Sequence, residues 1–333
     1  MRLIEAVPNF SEGRDLETVE RIAGAMRGIS GARLLHVDPE IDTHRTVMTL
    51  VGEPKAVEEA LFRGITEAVR RIDMTAHSGS HPRMGAADVV PFVPWQQATM
   101  ADCIESAHRL GHRLGSELAL PGWFYGAAGL SPEAHYLHDL RRGQFEGLGE
   151  KLKRKRVDFG PQQAHPTAGA TAVGARPLLV ALNCTISTDD VRVAKRMAGA
   201  LREFQRVKRR ADGTVEQRVS VGLPGLRALG WYSKRDGLAQ VTMNLTNTAE
   251  TPPHRVLQRL SALCAERGLE VVGSELVGMI PETLLAEAGA AMEPSASDPV
   301  LAGIRALRLG VLHDFQAEER IIERALQRVG ASS

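Results

Sequence analysis

Arg45-Thr46-Val47-Met48-Thr49-Leu50-Val51 is a run of β-branched and apolar residues that reads as a strand, and Pro54 opens a helix just behind it. Upstream of that pair, residues 33–37 (Arg-Leu-Leu-His-Val) form another strand. Before it, Leu16, Val19, Ala23 and Met26 recur at helical spacing, stopped by Gly28 and Gly31. Residues 3–7 (Leu-Ile-Glu-Ala-Val) make a first strand, followed by a turn at Pro8–Gly13. Downstream, Val57, Leu61, Ala68, Val69 and Ile72 give the second helix an apolar face, and residues 86–93 supply a fourth strand. The order is strand, helix, strand, strand, helix, strand.

The second half repeats it. Residues 178–182 are a strand, and Asp189 or Asp190 caps a helix carrying Ala194, Met197, Leu201 and Phe204. Strands follow near 226–232 and 238–245, then a helix with Val256, Leu260 and Cys264, then a strand at 269–273. The expected class is α+β: two ferredoxin-like βαββαβ subdomains, duplicated, with a ligand cleft between them. The expected boundaries are 1–176 and 177–328. Between the halves, residues 99–118 look helical, with Cys103, Ala107, Leu110 and Leu114 on one face.

The chain has 333 residues, 41 Lys+Arg against 40 Asp+Glu, and a formal net charge of +1. A dedicated nucleic-acid binder would be globally basic, and an RNA-recognition sheet needs surface aromatics that these aromatic-poor strands lack. Cys103, Cys184 and Cys264 form no CxxC pair, so neither a disulfide framework nor a thiolate zinc site is expected, and the thiols read as core residues. An acid and a proline interrupt the first nine residues, unlike a signal peptide, and no apolar run nears the ~18 residues of a membrane span. The expected compartment is the cytoplasm, with no membrane and no nucleic acid as partner. Positive charge is gathered in two blocks, at 141–156 and at 202–210, each read first as a solvated face.

The densest polar stretch is His77-Ser78-Gly79-Ser80-His81-Pro82-Arg83-Met84-Gly85-Ala86-Ala87-Asp88, between the second helix and the fourth strand. Pro82 biases His81 toward an extended backbone. A histidine can accept and return a proton within one cycle, and an arginine can bind a carboxylate through two parallel N–H bonds. His77/His81 and His108/His112 have a four-residue spacing, but neither pair encloses the Glu of HExxH, so no metal site is expected. Asn9 or Ser11 reads as a cap for the first helix and Asp38 as a turn residue. Residues 158–176 are rich in Gly and Pro and read as an extended loop, either an ordinary interdomain linker or the lining of a flat aromatic ligand.

Val7-Pro8-Asn9-Phe10-Ser11-Glu12-Gly13 with His81-Pro82-Arg83-Met84-Gly85-Ala86 resembles the glutamate formimidoyltransferase family. Arg45-Thr46-Val47, Ile72-Asp73-Met74, Asp158-Phe159-Gly160-Pro161, Gly169-Ala170-Thr171-Ala172, Gly174-Ala175-Arg176, Gly230-Trp231-Tyr232, Leu238-Ala239-Gln240-Val241, Val272-Gly273-Ser274 and Glu319-Arg320-Ile321-Ile322-Glu323 extend the likeness to about residue 325. The resemblance implies a dimeric two-subdomain transferase that moves a formimidoyl group from N-formimidoyl-L-glutamate to N5 of tetrahydrofolate, its co-substrate, in histidine degradation and one-carbon metabolism. It implies His81 as the catalytic residue, Asp38 as an acidic residue beside it, and a folate loop over Gly160, Pro161, Gln162, Gln163, Ala164, His165, Pro166, Thr167, Ala168 and Gly169. Arg45 and Arg83 are the expected ligands of the glutamate carboxylates. The sequence departs from animal family members at Ser80, where glutamate is common, at His44, where asparagine stands, and within 162–168. No cyclodeaminase part follows residue 333, so that activity is expected on a separate polypeptide. The alternatives are a folate-dependent formyltransferase and a non-catalytic folate-binding protein.

Overall fold

The computed structural model describes residues 2–131, 137–210 and 214–331. It is a mixed α+β protein that divides into two compact units, the first comprising the chain up to Pro177 together with the C-terminal residues from Val329, and the second running over Leu178–Arg328.

In the first unit the elements are β1 (Ile4–Ala6), β2 (Asn9–Phe10), α1 (Leu16–Met26), β3 (Ala32–Glu40), β4 (Arg45–Gly52), α2 (Pro54–Arg71), β5 (Ala87–Pro94), α3 (Met100–Leu118), β6 (Gly122–Gly126), α4 (Leu137–Arg141), α5 (Leu148–Arg154) and β7 (Thr171–Ala175). They build one seven-stranded sheet. β3 pairs with β4, and β1 and β2 both lie antiparallel between β4 and β5. β1 and β2 are thus one strand interrupted at Val7-Pro8, where proline has no N–H for a ladder. The Pro8 carbonyl instead accepts from Met48 N at 3.0 Å, and Phe10 is fully buried. That corrects the turn expected over 8–13: two of its residues are strand.

β5, β7 and β6 extend the sheet by parallel pairing. Parallel strands need a crossover, and α3 supplies it. Thr99 and Asp102 form a capping box at its start, and Cys103, Ala107, Leu110 and Leu114 are buried. The expected long loop at 158–176 therefore ends in a strand of this first sheet. Ala172 and Val173 are wholly buried there, and the Gly-rich composition hides a strand packed by close backbone approach.

α1 starts at Asp15, whose carboxylate accepts from Glu17 N. This displaces Asn9 and Ser11 as caps: Asn9 Nδ2 donates to Val7 O and Ser11 Oγ to Gly85 O. Leu16 stands 61 % exposed, because the buried face of α1 is Val19, Ile22, Ala23 and Met26. Phe92, Phe124, Leu61 and Ile65 fill the core, each burial contributing roughly 1.5–3 kcal/mol.

The second unit contains β8 (Val180–Ile186), α6 (Val191–Leu201), β9 (Phe204–Arg209), β10 (Val215–Val221), β11 (Leu226–Ser233), β12 (Leu238–Leu245), α7 (Pro253–Ala265), β13 (Val271–Val277), α8 (Glu282–Met292), α9 (Pro299–Ala306), α10 (Ala317–Arg320) and α11 (Ile322–Ala331). Its four-stranded antiparallel sheet runs β11-β12-β8-β13. The first unit's β3, β4, β1/β2 and β5 take the same order: second strand, third, first, fourth. Asp190 caps α6. Phe204 does not belong to that helix; Arg202 ends it in an extended conformation, and Phe204 pairs with Val221 in the β9–β10 hairpin. Cross-strand pairing there wins over helical spacing. The side chains of Arg206, Lys208 and Arg209 in the second basic block lie outside the described residues. All three cysteines are buried, and burial pushes the Cys103 and Cys184 thiols up to about 12.

No helix among the described residues is long and apolar enough to cross a membrane.

Candidate active site

The segment between α2 and β5 is stitched to the β3–β4 turn. Ser80 donates to Asp42 O through both its N–H and its hydroxyl, the latter at 2.9 Å. Gly79 packs so closely on the Thr43 carbonyl that any side chain would collide. His77 Nε2 lies 3.0 Å from His44 O, and Arg83 Nε donates to His77 Nδ1 at 3.1 Å. A carbonyl only accepts and a guanidinium only donates, so His77 is the neutral Nε2–H tautomer. Its burial keeps its pKa below the usual imidazole value. The His44 ring stacks on His77 at 4.2 Å, and its Nε2 lies 3.0 Å from Glu12 Oε1. Glu12 Oε1 also accepts from the N–H groups of Gly13, Arg14 and Asp15.

On this frame sits His81. Arg45 donates to His81 Nε2 at 2.8 Å, while His81 Nδ1 is buried with no hydrogen-bond partner. Since arginine only donates, Nε2 offers its lone pair and the proton of the neutral ring is on Nδ1. Burial holds the imidazole well below its ordinary pKa, reinforced by the charges of Arg45 and Arg141. Arg45 is itself brought down to about 10, first by burial and then by Arg141, against the opposing carboxylates of Asp88, Glu40 and Asp38. Asp38 is a half-buried residue of β3 opposite Val47 in the register, and not in a turn. The structure thus groups His81, Arg45 and Asp38.

Arg83 is different. Its Nε goes to His77, one terminal nitrogen to Gln144 Oε1 (3.0 Å) and Glu146 Oε2 (2.9 Å), and the other to His77 O (2.9 Å) and Glu146 Oε1 (2.6 Å). All five N–H donors are spent inside the protein, so in this conformation it has none for a substrate carboxylate.

The 160–169 loop divides in two. Its second half is bonded to the residues that flank His81: Thr167 O accepts from Met74 N at 2.8 Å, and Ala168 O from Ala86 N at 2.9 Å. Gly85 faces Gly169, and a Cβ on either would strike the other strand's backbone. His165 Nδ1 accepts from Ala168 N at 3.0 Å and closes the tip, with Ala164 and Pro166 beside it. The first half points elsewhere. Gly160 abuts the Leu120 carbonyl, Gln162 spends its amide on Val157, Leu152 and Lys155, and Pro161 and Gln163 are exposed.

Four participants escaped sequence reasoning: Arg141, Gln144, Glu146 and Tyr125. Arg141 was read as part of a solvated block, yet it turns inward onto buried Asp88 at 2.5 Å, with its side chain 15 % exposed. Arg142 and Lys153 do stay outside, pairing with Asp139 and Glu150, while half-buried Lys151 turns in to donate to the Leu140 carbonyl. Nothing in a run of Lys and Arg tells which one finds a buried carboxylate. His108 and His112 pack on Phe124, and His108 Nε2 bonds Ala128 O. Among the described residues no group of three or more His, Cys, Asp or Glu is placed to hold a metal ion.

Residues 3–176 match the family model described as formiminotransferase domain, N-terminal subdomain, and residues 181–327 match formiminotransferase domain. The chain is 38 % identical to Glutamate formimidoyltransferase of Thermoplasma acidophilum, over 86 % of this chain and 90 % of that one. It is 35 % identical to Glutamate formimidoyltransferase of Streptococcus pyogenes, over 85 % and 91 %. It is 38 % identical to Formimidoyltransferase-cyclodeaminase of Sus scrofa over 99 % of this chain, but spans only 61 % of that relative's length. With both family models and these relatives covering nearly the whole sequence, the chain belongs to the formiminotransferase family.

Proposed function

We propose that this protein is a glutamate formimidoyltransferase that uses tetrahydrofolate as acceptor. The observation that carries the reading is His81: a neutral imidazole with its Nε2 lone pair presented to Arg45, on a segment hydrogen-bonded to the 165–169 loop. Relatives at 35–38 % identity over most of the chain bear that activity's name. The shared strand order of the two units supports ferredoxin-like cores as the two subdomains, 1–176 and 177–328.

The chemistry follows from proton bookkeeping. N5 of tetrahydrofolate attacks the formimidoyl carbon of N-formimidoyl-L-glutamate, forming a C–N bond and a tetrahedral intermediate. N5 then loses a proton to His81 Nε2. The same proton passes to the departing glutamate nitrogen as its C–N bond breaks, giving 5-formimidoyltetrahydrofolate and L-glutamate. A buried, weakly basic imidazole is neutral at pH 7, as the first transfer requires, and its conjugate acid gives the proton up readily in the second. Arg45 leaves Nε2 for a substrate carboxylate as the donor binds, which frees the lone pair. Asp38 balances charge beside Arg45. The 164–169 half of the loop lines the pterin site.

Purified protein should release L-glutamate from N-formimidoyl-L-glutamate only when tetrahydrofolate is present, and much faster than it consumes N-formyl-L-glutamate. Equal rates would favour a formyltransferase, and no release with either donor would leave a folate-binding protein.

A further inference from the structure

Resting on that reading, we propose that Arg141 is a carboxylate ligand for the dicarboxylate donor, working with Arg45, and that Arg83 is the strut that sets both in place. Arg141 closes α4, and the turn after it grips the His81 segment at several points. Gln144 and Glu146 hold the Arg83 guanidinium, and Phe145 N donates to Arg83 O at 3.0 Å. Arg141 itself reaches Asp88, whose other oxygen accepts from Met84 N at 2.9 Å. Residues 141–146 and 83–88 are thereby fixed as one piece.

The piece leaves a hole in the hydrogen bonding. Arg45 Nε, Arg141 Nε and His81 Nδ1 are each buried without a partner. Buried N–H groups are almost always satisfied, and His81 has the Pro82 carbonyl beside it, so the two guanidinium N–H groups mark a place for acceptor atoms that the chain does not supply. The charges agree. Arg45 and Arg141 sense one another, and His81 senses both. The carboxylates facing them are Asp88, already held by Arg141 and Met84, Glu40, whose oxygens accept from Asp42 N and Thr43 N, and half-buried Asp38. Tyr125 and Arg176 stand nearby, and burial pushes the Tyr125 phenol up to about 12, so it brings no negative charge. A buried pair of guanidiniums that each keep an N–H without a partner can take one further carboxylate.

The test is calorimetric binding of L-glutamate, L-glutamine and L-isoglutamine, the last two lacking the γ- and the α-carboxylate. Wild type should bind L-glutamate more tightly than one of the amides. Arg141→Gln should weaken L-glutamate at least ~30-fold while leaving that amide within about twofold, which identifies the carboxylate held. Arg141→Lys keeps the Asp88 pair and the fold; it should show a smaller loss of the same selectivity. Unchanged L-glutamate binding in either variant, a uniform loss across all three ligands, or no discrimination by wild type would overturn the proposal. Turnover is a separate readout. Arg141-dependent L-glutamate binding without formimidoyl transfer would sink the functional reading and leave this site standing.

Discussion

Two polar regions of the protein use similar residues to opposite ends. In the second unit, Gln240 donates to Thr185 Oγ1 and Asp236 and accepts from Trp231 Nε1, and Asp236 also accepts from Ser233. Each of these groups finds its partner within the chain, which is how a buried polar network stabilises a sheet. In the first unit the His81 region begins in the same way, through His77 and Arg83, but stops short: Arg45 and Arg141 keep buried N–H groups in reserve. A closed network holds a fold together. An open one, at a cost in stability, waits for a ligand.

Variants can break or sharpen this contrast. His81→Ala removes the proton carrier at little structural cost, and should lower kcat at least ~100-fold with tetrahydrofolate binding retained, as read by stopped-flow and calorimetry. Arg45→Gln should lower kcat/KM about 30-fold or more, mostly through KM for the donor. Gln240→Leu should do the reverse. It leaves the Trp231 N–H without an acceptor and takes a donor from Thr185 Oγ1 and from Asp236, costing about 1–3 kcal/mol in urea melts while kcat/KM stays within about twofold. Glu146→Gln, at an exposed carboxylate that Arg83 holds down to about pKa 2, should cost under ~1 kcal/mol.

The pH dependence separates the regions further. His81 has its folded pKa depressed below the ordinary value of 6.5. Its neutral form therefore favours the folded state fully above pH 6.5, and that contribution drains away as pH falls from 6.5 toward the folded pKa. Wild type should lose more stability than His81→Ala between pH 7 and pH 5, and the acid limb of kcat/KM should lie below 6.5. A limb at or above that value would show that another group carries the proton.

The elements that the sequence displays are those with local signals. Asp190 caps α6, Pro54 opens α2, and the apolar spacing of 99–118 is α3. What escaped depends on partners distant in the chain. β6 (Gly-Trp-Phe-Tyr-Gly) and β7 (Thr-Ala-Val-Gly-Ala) are short, and neither carries alternation because both faces are buried. The His81 segment was visible as a cluster of unlike polar residues, but the division of labour between its arginines was not. Arg83 and Arg45 look alike in sequence; only the turn at 144–146 makes one a strut and leaves the other free to serve His81.

Following the transferred carbon tests the central claim most directly. With N-formimidoyl-L-glutamate labelled with ¹³C in the formimidoyl group and tetrahydrofolate present, carbon NMR should show the label move onto N5 of the pterin in step with L-glutamate release. Label that stays on glutamate, or appears as free formamide with tetrahydrofolate unmodified, would contradict the account.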